Sequence, residues 1–429
     1  MIRLLMIADD FTGALDTGVQ FAACGVATRV ITGQSVSLTE FAGTCEVLVV
    51  DAETRHMQAK DAYRVVERIV SQAAAMEIPH IYKKTDSALR GNVGAELAAL
   101  MAASGETWLP FLPAFPQMGR NTVSGVHYIS GVPVAQSVFG ADPFEPVRHS
   151  RVSELIAEQS GTAVHSSPAL GKEAPIPQAA GIWVYDASSV EELAATGQRL
   201  LEENKLHIMA GCAGFGAVLP GLLKLGTGTP APMPELDPNF LVICGSVNPI
   251  TVAQADRAEQ EGFLRIRLVP EQKLNPEHWN TEAGAQELQV LQDLLKDYRC
   301  RIIDTNDSGG NRETAEYAAR HGMAIEDVRQ AVSRSIGYLV SHLFPNPKLG
   351  TLLVTGGDTL LQCMDYMGVH EIEPLCEMEA GVVLSRFTYH GFTRYVISKS
   401  GGFGKQDLLT ELAQTISRQS KTQKMEEIV

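Results

Sequence analysis

Two consecutive aspartates, Asp9 and Asp10, follow the first apolar run of the chain in the segment Ala8–Gly13. An aspartate in such a loop can take the proton of an attacking hydroxyl, but it can also cap the helix that follows. Thr12 is a further candidate for the cap. The residues leave open which aspartate is chemically active, and we favour Asp9 because it lies nearer to the predicted strand.

Cationic side chains follow the next two apolar runs of the N-terminal half. Arg55 comes shortly after the second run, and the third run ends in the polar segment Lys83–Ser87. Because ligands of parallel sheets bind beyond the carboxyl ends of the strands, we expect these loops to meet at one edge. Lysine and arginine suit recognition of a substrate carboxylate. The predicted substrate-binding residues are Asp9, Arg55, Lys83, Lys84, Thr85, Asp86 and Arg90.

Three predicted strand ends in the C-terminal half are rich in glycine, serine and threonine: Cys244–Asn248, Thr355–Thr359 and Ser400–Lys405. Glycine lets the backbone approach a ligand closely, and a helix N-terminus offers unpaired N–H groups to phosphate. One such segment is usually a plain turn, but three in one domain indicate a nucleotide polyphosphate site. The residues predicted to line this site are Ser246, Gly356, Gly357, Asp358, Thr359 and Gly402.

Signatures of several other enzyme classes are missing from the sequence. It contains no G-x-x-x-x-G-K-[ST], no G-x-G-x-x-G after a strand, no H-E-x-x-H and no G-x-S-x-G. P-loop, dinucleotide-binding, zinc-protease and serine-hydrolase functions are therefore disfavoured. His127, His149 and His390 are predicted to lie in loops with solvated or packing roles, although Asn121 and His127 are also candidates for ligand contact.

The elements that position these residues alternate between apolar runs and helical patterns, which predicts βαβ units and parallel sheets. In the first half the predicted strands are Leu4–Ala8, Val47–Val50, His80–Lys83, Ile182–Tyr185 and His207–Ala210, and the main predicted helices cover about 12–23, 59–76, 92–103 and 190–203. The stretch 108–146, rich in proline, glycine and aromatic residues, interrupts the alternation and is predicted to be a long functional loop.

A proline-rich stretch divides the chain. Residues 226–238 hold four prolines and two glycines and are the predicted linker between a domain at 1–225 and a domain at 239–429. The predicted elements of the second domain are strands Phe240–Cys244, Ile302–Asp304 and Leu352–Val354, helices Pro249–Glu261 and Ile325–His342, an antiparallel hairpin of Gly381–Phe387 with Tyr395–Ser398, and a helix from about Lys405. The predicted fold class is thus α/β, with two domains that each hold a mainly parallel sheet flanked by helices.

Composition narrows the function classes. The 429 residues carry a net charge of −15, which disfavours nucleic acid or an anionic membrane as the main partner. No apolar run approaches the length of a membrane span, and the seven scattered cysteines indicate reduced thiols in a reducing compartment. We therefore expect a cytoplasmic enzyme, with a homodimer as the default assembly.

Six segments of the chain together resemble the four-carbon acid sugar kinases, and the resemblance runs from residue 4 to about residue 410. The segments are Ile7–Asp16, Lys83–Ser87 with Arg90–Asn92, Pro113–Pro116 with Gly119–Arg120 and Gly125, Cys244–Ser246, Thr355–Thr359, and Ser400–Gly404. The resemblance implies an N-terminal domain that binds the sugar acid, a C-terminal domain that binds ATP, and an active site in the cleft between the domains. It also implies transfer of the γ-phosphoryl group to the terminal hydroxyl of a four-carbon acid.

Within the family, the first block as it stands in Gly13–Gln20 is most similar to members that act on D-threonate, while other members act on D-erythronate, L-threonate or 3-oxo-tetronate. Our hypothesis is that Arg55 and Lys83 or Lys84 hold the substrate carboxylate, and that Asp9 or Asp10 receives the hydroxyl proton. Asp358 is the candidate ligand of Mg²⁺.

Two functions other than that of a kinase are compatible with parts of the same pattern. A nucleotide-dependent ligase or a sugar-acid lyase could use the same acidic loop, and ADP formation that depends on a four-carbon acid would separate a kinase from both. A regulatory protein that binds a sugar acid without turnover is a third hypothesis. Paired acidic and basic loops argue against it, as does the lack of a DNA-binding helix signature.

Overall fold

The structure of the chain is a computed structural model that describes residues 1–33, 37–142, 145–345 and 350–426. The chain divides into two compact units, Met1–Ala231 and Pro232–Val429. The division falls inside the stretch 226–238. Each unit holds a mainly parallel sheet flanked by helices, so the predicted α/β fold class is confirmed.

The first unit is built on short apolar strands that lie side by side in a parallel sheet. Its strands are β1 (Leu4–Ala8), β2 (Thr28–Thr32), β3 (Val47–Asp51), β4 (His80–Lys84), β5 (Trp108–Leu112), β6 (Arg120–Val123), β7 (Val126–Ile129), β8 (Val132–Pro133), β9 (Val164–Ser167), β10 (Gly181–Tyr185) and β11 (Ile208–Gly211). The order of the parallel sheet is β2-β3-β1-β4-β11-β5-β10-β9. Strands β1, β3 and β5 are buried along their whole length, as expected where helices cover both faces.

The helices of this unit are α1 (Phe11–Ala22), α2 (Ala59–Ala75), α3 (Val93–Ser104), α4 (Val152–Gln159), α5 (Val190–Glu202), α6 (Ala213–Gly216) and α7 (Leu219–Leu222). Helices α1, α2 and α3 differ from their predicted bounds by no more than one residue at each end. Helical periodicity and the glycine that follows α3, Gly105 in the left-handed conformation, explain this agreement.

The stretch 108–146 is not the long loop that the sequence predicted. It begins with β5, a buried strand of the main sheet whose Pro110 weakened the strand pattern. It continues with β6, β7 and β8, which form a separate antiparallel sheet. Two-residue turns at Ser124–Gly125 and Ser130–Gly131 join these strands, and all four residues have positive φ, as hairpin turns of this length require.

The second unit repeats the architecture with a different edge. Its strands are β12 (Phe240–Cys244), β13 (Leu264–Arg267), β14 (Cys300–Asp304), β15 (Thr351–Thr355), β16 (Glu371–Glu379), β17 (Val382–Tyr389) and β18 (Phe392–Lys399), and its helices are α8 (Pro249–Gln260), α9 (Pro270–Leu274), α10 (Glu282–Lys296), α11 (Arg312–Arg320), α12 (Ile325–Leu343), α13 (Gly357–Tyr366) and α14 (Leu408–Glu426). Strands β13-β14-β12-β15-β18 are parallel, and β17 and β16 follow antiparallel.

The predicted hairpin near the C-terminus is confirmed as β17 and β18, joined by a turn at His390–Gly391. The last helix begins at Leu408 and not near Lys405, because the glycine-rich segment continues through Gly404, whose φ is 85°. The seven cysteines are free thiols. Within the described ranges, no helix is both long enough and apolar enough to cross a membrane.

Strand order places two loop clusters at points where the chain changes direction across a sheet. In the first unit the connections from β1 lead to β2 and β3 on one side, whereas β4 lies on the other side of β1. In the second unit β13 and β14 lie on one side of β12, and β15 lies on the other. Such switch points are the preferred ligand sites of open α/β sheets.

Candidate active site

Asp10 begins helix α1 and uses both carboxylate oxygens. Its backbone is extended, and Oδ1 accepts a hydrogen bond of 3.1 Å from the Gly13 N–H, so Asp10 rather than Thr12 is the cap. Its Oδ2 lies 2.7 Å from Nη1 of Arg55. The side chain is about a quarter exposed, which leaves Asp10 at the surface of the acidic cluster.

The buried Arg55 guanidinium contacts three carboxylates. Nε donates to Asp9 Oδ2 at 2.8 Å, Nη1 to Asp10 Oδ2 at 2.7 Å, and Nη2 lies 2.8 Å from Asp9 Oδ2 and 3.8 Å from Asp86 Oδ1. Burial acts to lower the pKa of Arg55, but the three carboxylates raise it well above its ordinary value. Arg55 therefore joins the loops that follow β1, β3 and β4.

Asp9 is buried, and one of its oxygens lacks a hydrogen bond. Oδ2 receives Arg55, whereas Oδ1 has no hydrogen-bond partner in the described part of the chain and lies 3.9 Å from Nζ of Lys84. Burial acts to raise the pKa of Asp9, but Arg55, Lys84 and Lys83 outweigh it, so the pKa is lowered. The site thus holds an ionised carboxylate with a spare acceptor.

Lys84 places its ammonium beside Asp9 at the start of α1. A Cβ atom on Gly13 would lie 2.3 Å from Nζ of Lys84, so the glycine provides the space that the ammonium occupies. Lys84 is 4% exposed, and its shortest described ion pair is the 3.9 Å approach to Asp9. A buried cation with weak pairing favours an anionic ligand.

Lys83 points away from Lys84, because successive side chains of a strand alternate between faces. Its ammonium is fully buried, lies 3.1 Å from Glu96 Oε2 on α3, and donates to the carbonyls of Ile7 and Lys84. The structure therefore brings Lys84 to Asp9 but gives Lys83 a place in the sheet interior.

Asp86 and Arg90 form an ion pair at one side of the cluster. Asp86 accepts from Nε and Nη2 of Arg90 at 2.8 and 3.2 Å and from the backbone N–H groups of Ala88 and Arg90. Burial acts to raise the pKa of Asp86, but Arg90 and Arg55 hold it well below its usual range. Thr85 is buried, and its N–H donates to the Gly211 carbonyl on β11.

His127 supports this loop from the antiparallel sheet. It lies buried on β7, not in a loop as the sequence predicted. Its Nε2 donates to the Ser87 carbonyl at 2.9 Å, so Nδ1 of the neutral ring accepts from the Thr122 hydroxyl at 3.0 Å. Burial lowers the pKa of His127 to about 4. Arg120 also donates to the Ser87 hydroxyl.

The glycine-rich segments of the second unit meet at the ends of β12, β15 and β18. A Cβ on Gly245 would lie 2.2 Å from Oγ1 of Thr359, and a Cβ on Gly401 would lie 2.6 Å from Oγ of Ser246. The Ser246 N–H donates to Thr355 Oγ1, and the Gly356 N–H donates to the Lys399 carbonyl. The three segments are therefore packed directly against one another.

Asp358 is the carboxylate of this cluster and is half exposed. It pairs with Arg329 of α12, which also contacts Glu326. Among the described residues, no group of three or more histidine, cysteine or acidic side chains could hold a metal ion.

Two residues at the end of β14 support the Ser246 segment and were missed by the sequence reasoning. Nδ2 of Asn306 donates to the Ser246 carbonyl at 3.1 Å and to Oδ1 of the buried Asp304, which pairs with Arg265. Their only sequence signal was their position after an apolar run, at the same sheet edge as Cys244.

Comparisons with known proteins agree with this arrangement. The family described as sugar-binding N-terminal domain matches residues 4–219, and the family described as nucleotide-binding C-terminal domain matches residues 241–409. A D-threonate kinase of Salmonella typhimurium is 28% identical over 96% of this chain and 97% of its own length. A D-threonate kinase of Bordetella bronchiseptica is 29% identical over 96% of each chain. A crystal structure from Salmonella typhimurium LT2, 19% identical, shares the fold with a TM-score of 0.77 over 96% of this chain and 98% of that chain.

The fold and the two loop clusters define a two-domain α/β enzyme with a sugar-binding and a nucleotide-binding half. The chain belongs to the four-carbon acid sugar kinase family, and it is a phosphotransferase with an alcohol group as acceptor.

Gly13→Ala tests the placement of Lys84. The new methyl group displaces the ammonium or the Asp10 carboxylate, so kcat/KM for the acid is expected to fall about tenfold or more, as misplaced polar groups cost in other enzymes. Thermal stability should change little, because the helix propensity that alanine gains over glycine, about 0.5–1 kcal/mol, offsets the cost of moving the neighbouring side chain. The control is Gly221→Ala in α7, where a Cβ meets nothing within 4 Å. Unchanged kcat/KM in Gly13→Ala would contradict the assignment.

His127 predicts a pH dependence of stability. Its pKa is about 4 in the folded chain against an ordinary 6.5, so the unfolded chain binds the proton first as the pH falls. The free energy of unfolding therefore decreases between about pH 6.5 and pH 4, by at most about 3 kcal/mol from this group. His127→Gln keeps a donor for Ser87 but does not titrate, so urea titrations should show a smaller loss. Equal slopes for the wild type and His127→Gln would refute the role of His127.

Proposed function

We propose that this enzyme is an ATP-dependent D-threonate 4-kinase. The proposed site for the sugar acid rests on one cluster. In it, Asp9 keeps an oxygen without a hydrogen-bond partner beside the weakly paired ammonium of Lys84. A tetronate brings what these groups lack, namely a carboxylate for a cation and a hydroxyl for an acceptor. We propose D-threonate as the substrate because two relatives that match over nearly their whole length are named D-threonate kinase.

In the proposed reaction, the 4-hydroxyl oxygen attacks the γ-phosphorus of ATP, the bond from that phosphorus to the β,γ-bridging oxygen breaks, and ADP leaves. The hydroxyl proton passes to Oδ1 of Asp9. Lys84 holds the substrate carboxylate, and Arg90 and Arg55 set the positions of Asp86 and Asp9. Because Oδ1 is buried, substrate binding must shift a neighbour, and the flexible side chain of Lys84 is the one that can move.

Lys83 contributes to this proposal in a different way from Lys84. Its ammonium is already shared by Glu96 and two carbonyl groups, so it lowers the pKa of Asp9 from inside the sheet without reaching the substrate.

The nucleotide is proposed to bind the second unit through Ser246, the segment Gly356–Thr359 and Gly402. Glycine lets the backbone N–H groups of these segments approach a phosphate closely. Gly356 is the residue before α13, and no side chain caps the start of this helix, so its first N–H groups are available to phosphate. When Mg²⁺ is bound, it would neutralise phosphate charge. Asp358 would hold it after parting from Arg329. A homodimer remains a prediction.

An acceptor screen tests the proposed function. ADP release is measured with D-threonate, L-threonate, D-erythronate and 3-oxo-tetronate, and the product is identified by mass spectrometry and by phosphorus–proton coupling at C4. D-Threonate is expected to give the highest kcat/KM, with a 4-phosphorylated product. A higher kcat/KM with another tetronate would make that acid the substrate in place of D-threonate. The screen includes these acids because other relatives are named D-erythronate kinase and 3-oxo-tetronate kinase. Activity with none of the acids would refute the proposal.

Asp9→Asn and Asp10→Asn separate the two aspartates. Asp9→Asn is expected to lower kcat by about a hundredfold or more while ADP still binds, because general base and positioning are lost together. Asp10→Asn should cost much less, since asparagine also caps helices and the spare acceptor on Asp9 survives. Turnover is followed by ADP release and ADP binding by calorimetry. The reverse order of effects would assign the proton to Asp10.

A further inference from the structure

The carbonyl groups of the segment Ser400–Lys405 are held by side chains that come from outside it. Nζ of Lys399 donates to the carbonyls of Ser400 and Gly401 at 3.1 and 3.3 Å. The hydroxyl of Thr251 donates to Gly401 at 2.7 Å, and Nε2 of Gln254 donates to the carbonyls of Phe403 and Lys405 at 3.1 and 2.7 Å.

Several backbone N–H groups of the segment are available to a ligand. Among the described residues, the N–H groups of Gly401, Gly402 and Gly404 make no hydrogen bond, while that of Phe403 closes a turn onto the Ser400 carbonyl. Gly402 is exposed, and a Cβ at Gly401 would lie 2.6 Å from Ser246 Oγ. Carbonyls that face buried donors and amides without partners form an anion-binding surface.

Helix α8 links this segment to the Ser246 segment. It begins directly after Asn248, and it carries Thr251 and Gln254 within its first two turns. Both are buried, so the helix that follows one glycine-rich segment holds the other in place.

Lys399 is an unusual member of this set. It is 1% exposed, and its described hydrogen-bond partners are neutral: the Thr251 hydroxyl at 3.0 Å and two carbonyls. Burial lowers the pKa of Lys399 to about 8. A buried cation without a carboxylate partner costs folding free energy, which indicates that its charge serves something other than stability.

We propose that Lys399, Thr251 and Gln254 are positioning residues of the nucleotide site, which turn the carbonyls of Ser400–Lys405 inward and so present its amides to the polyphosphate. The proposal rests on the proposed function of the second unit. It adds that Lys399 supplies positive charge from behind the segment, so that its contribution increases with the number of phosphates on the nucleotide.

Lys399→Met removes the charge without leaving a carbonyl unpaired, because Ser400 keeps the Phe403 N–H and Gly401 keeps the Thr251 hydroxyl. Calorimetry with the full chain is expected to show an affinity loss of about fivefold or more for ATP, a smaller loss for ADP and the smallest for AMP. The unfolding temperature should not fall. Equal losses for the three nucleotides, or no loss, would overturn the role of Lys399.

Thr251→Val and Thr351→Val form a matched pair. Each threonine is 1% exposed and donates a 2.7 Å hydrogen bond to a backbone carbonyl, but Thr351 begins β15, at the opposite sheet edge. Both variants should lose similar stability, whereas only Thr251→Val should raise the KM for ATP, by about fivefold. The KM for the acid should stay unchanged, and Thr251→Ser should restore the KM for ATP.

The possible failures are distinguishable. If the wild type binds ADP and Thr251→Val binds it equally well, the positioning role is wrong and the proposed kinase function stands. If the wild type binds no ATP or ADP at all, the assignment of the nucleotide site to this unit fails, and the positioning role fails with it.

Discussion

The first unit depends on one guanidinium that three loops share. Arg55 meets Asp9, Asp10 and, at a longer distance, Asp86, which lie after β1 and β4, while Arg55 itself follows β3. Three carboxylates this close would repel one another, and burial would protonate them, without a planar cation whose donors point in several directions. Lys84 and Arg90 complete the balance on either side. In the proposed function, a substrate carboxylate would enter a cluster whose own charges are already matched, and Lys84, the weakly paired cation, would bind it.

The second unit has the same order of strands around its first strand as the first unit, but different chemical groups line its candidate site. Its candidate loops at the switch point present backbone and hydroxyl groups in place of a charged cluster, which is the kind of surface that we propose for a polyphosphate. The fixed parts lie behind the loops, in Asn306 and in the side chains around Lys399. Under the proposed function, the charged cluster of the first unit would bind the sugar acid, and the backbone groups of the second unit would bind the nucleotide.

The sequence predicted the strands that precede the candidate loops, because apolar period and strand-end polarity are local signals. It failed where tertiary contacts decide. Lys83 and Lys84 are equivalent as residue types, and only the strand register shows which one reaches Asp9. Asp9 and Asp10 differ in burial and in which carboxylate oxygens already have partners, and neither difference can be read from the sequence. His127 was predicted to lie in a loop, whereas it lies on a strand of the antiparallel sheet, whose turns at Ser124–Gly125 and Ser130–Gly131 give the sequence the composition of a loop.

Three glycines show why such sites can be located by short segments. Gly13, Gly245 and Gly401 do not have the left-handed conformation that usually explains glycine. Each is needed because a polar atom occupies the place of its Cβ: the Lys84 ammonium, the Thr359 hydroxyl and the Ser246 hydroxyl. The missing side chain is therefore part of each candidate site, since it allows a polar group of one loop to lie against the backbone of another. A segment that combines glycine with polar side chains therefore indicates a close contact between loops, which hydrophobic periodicity alone does not predict.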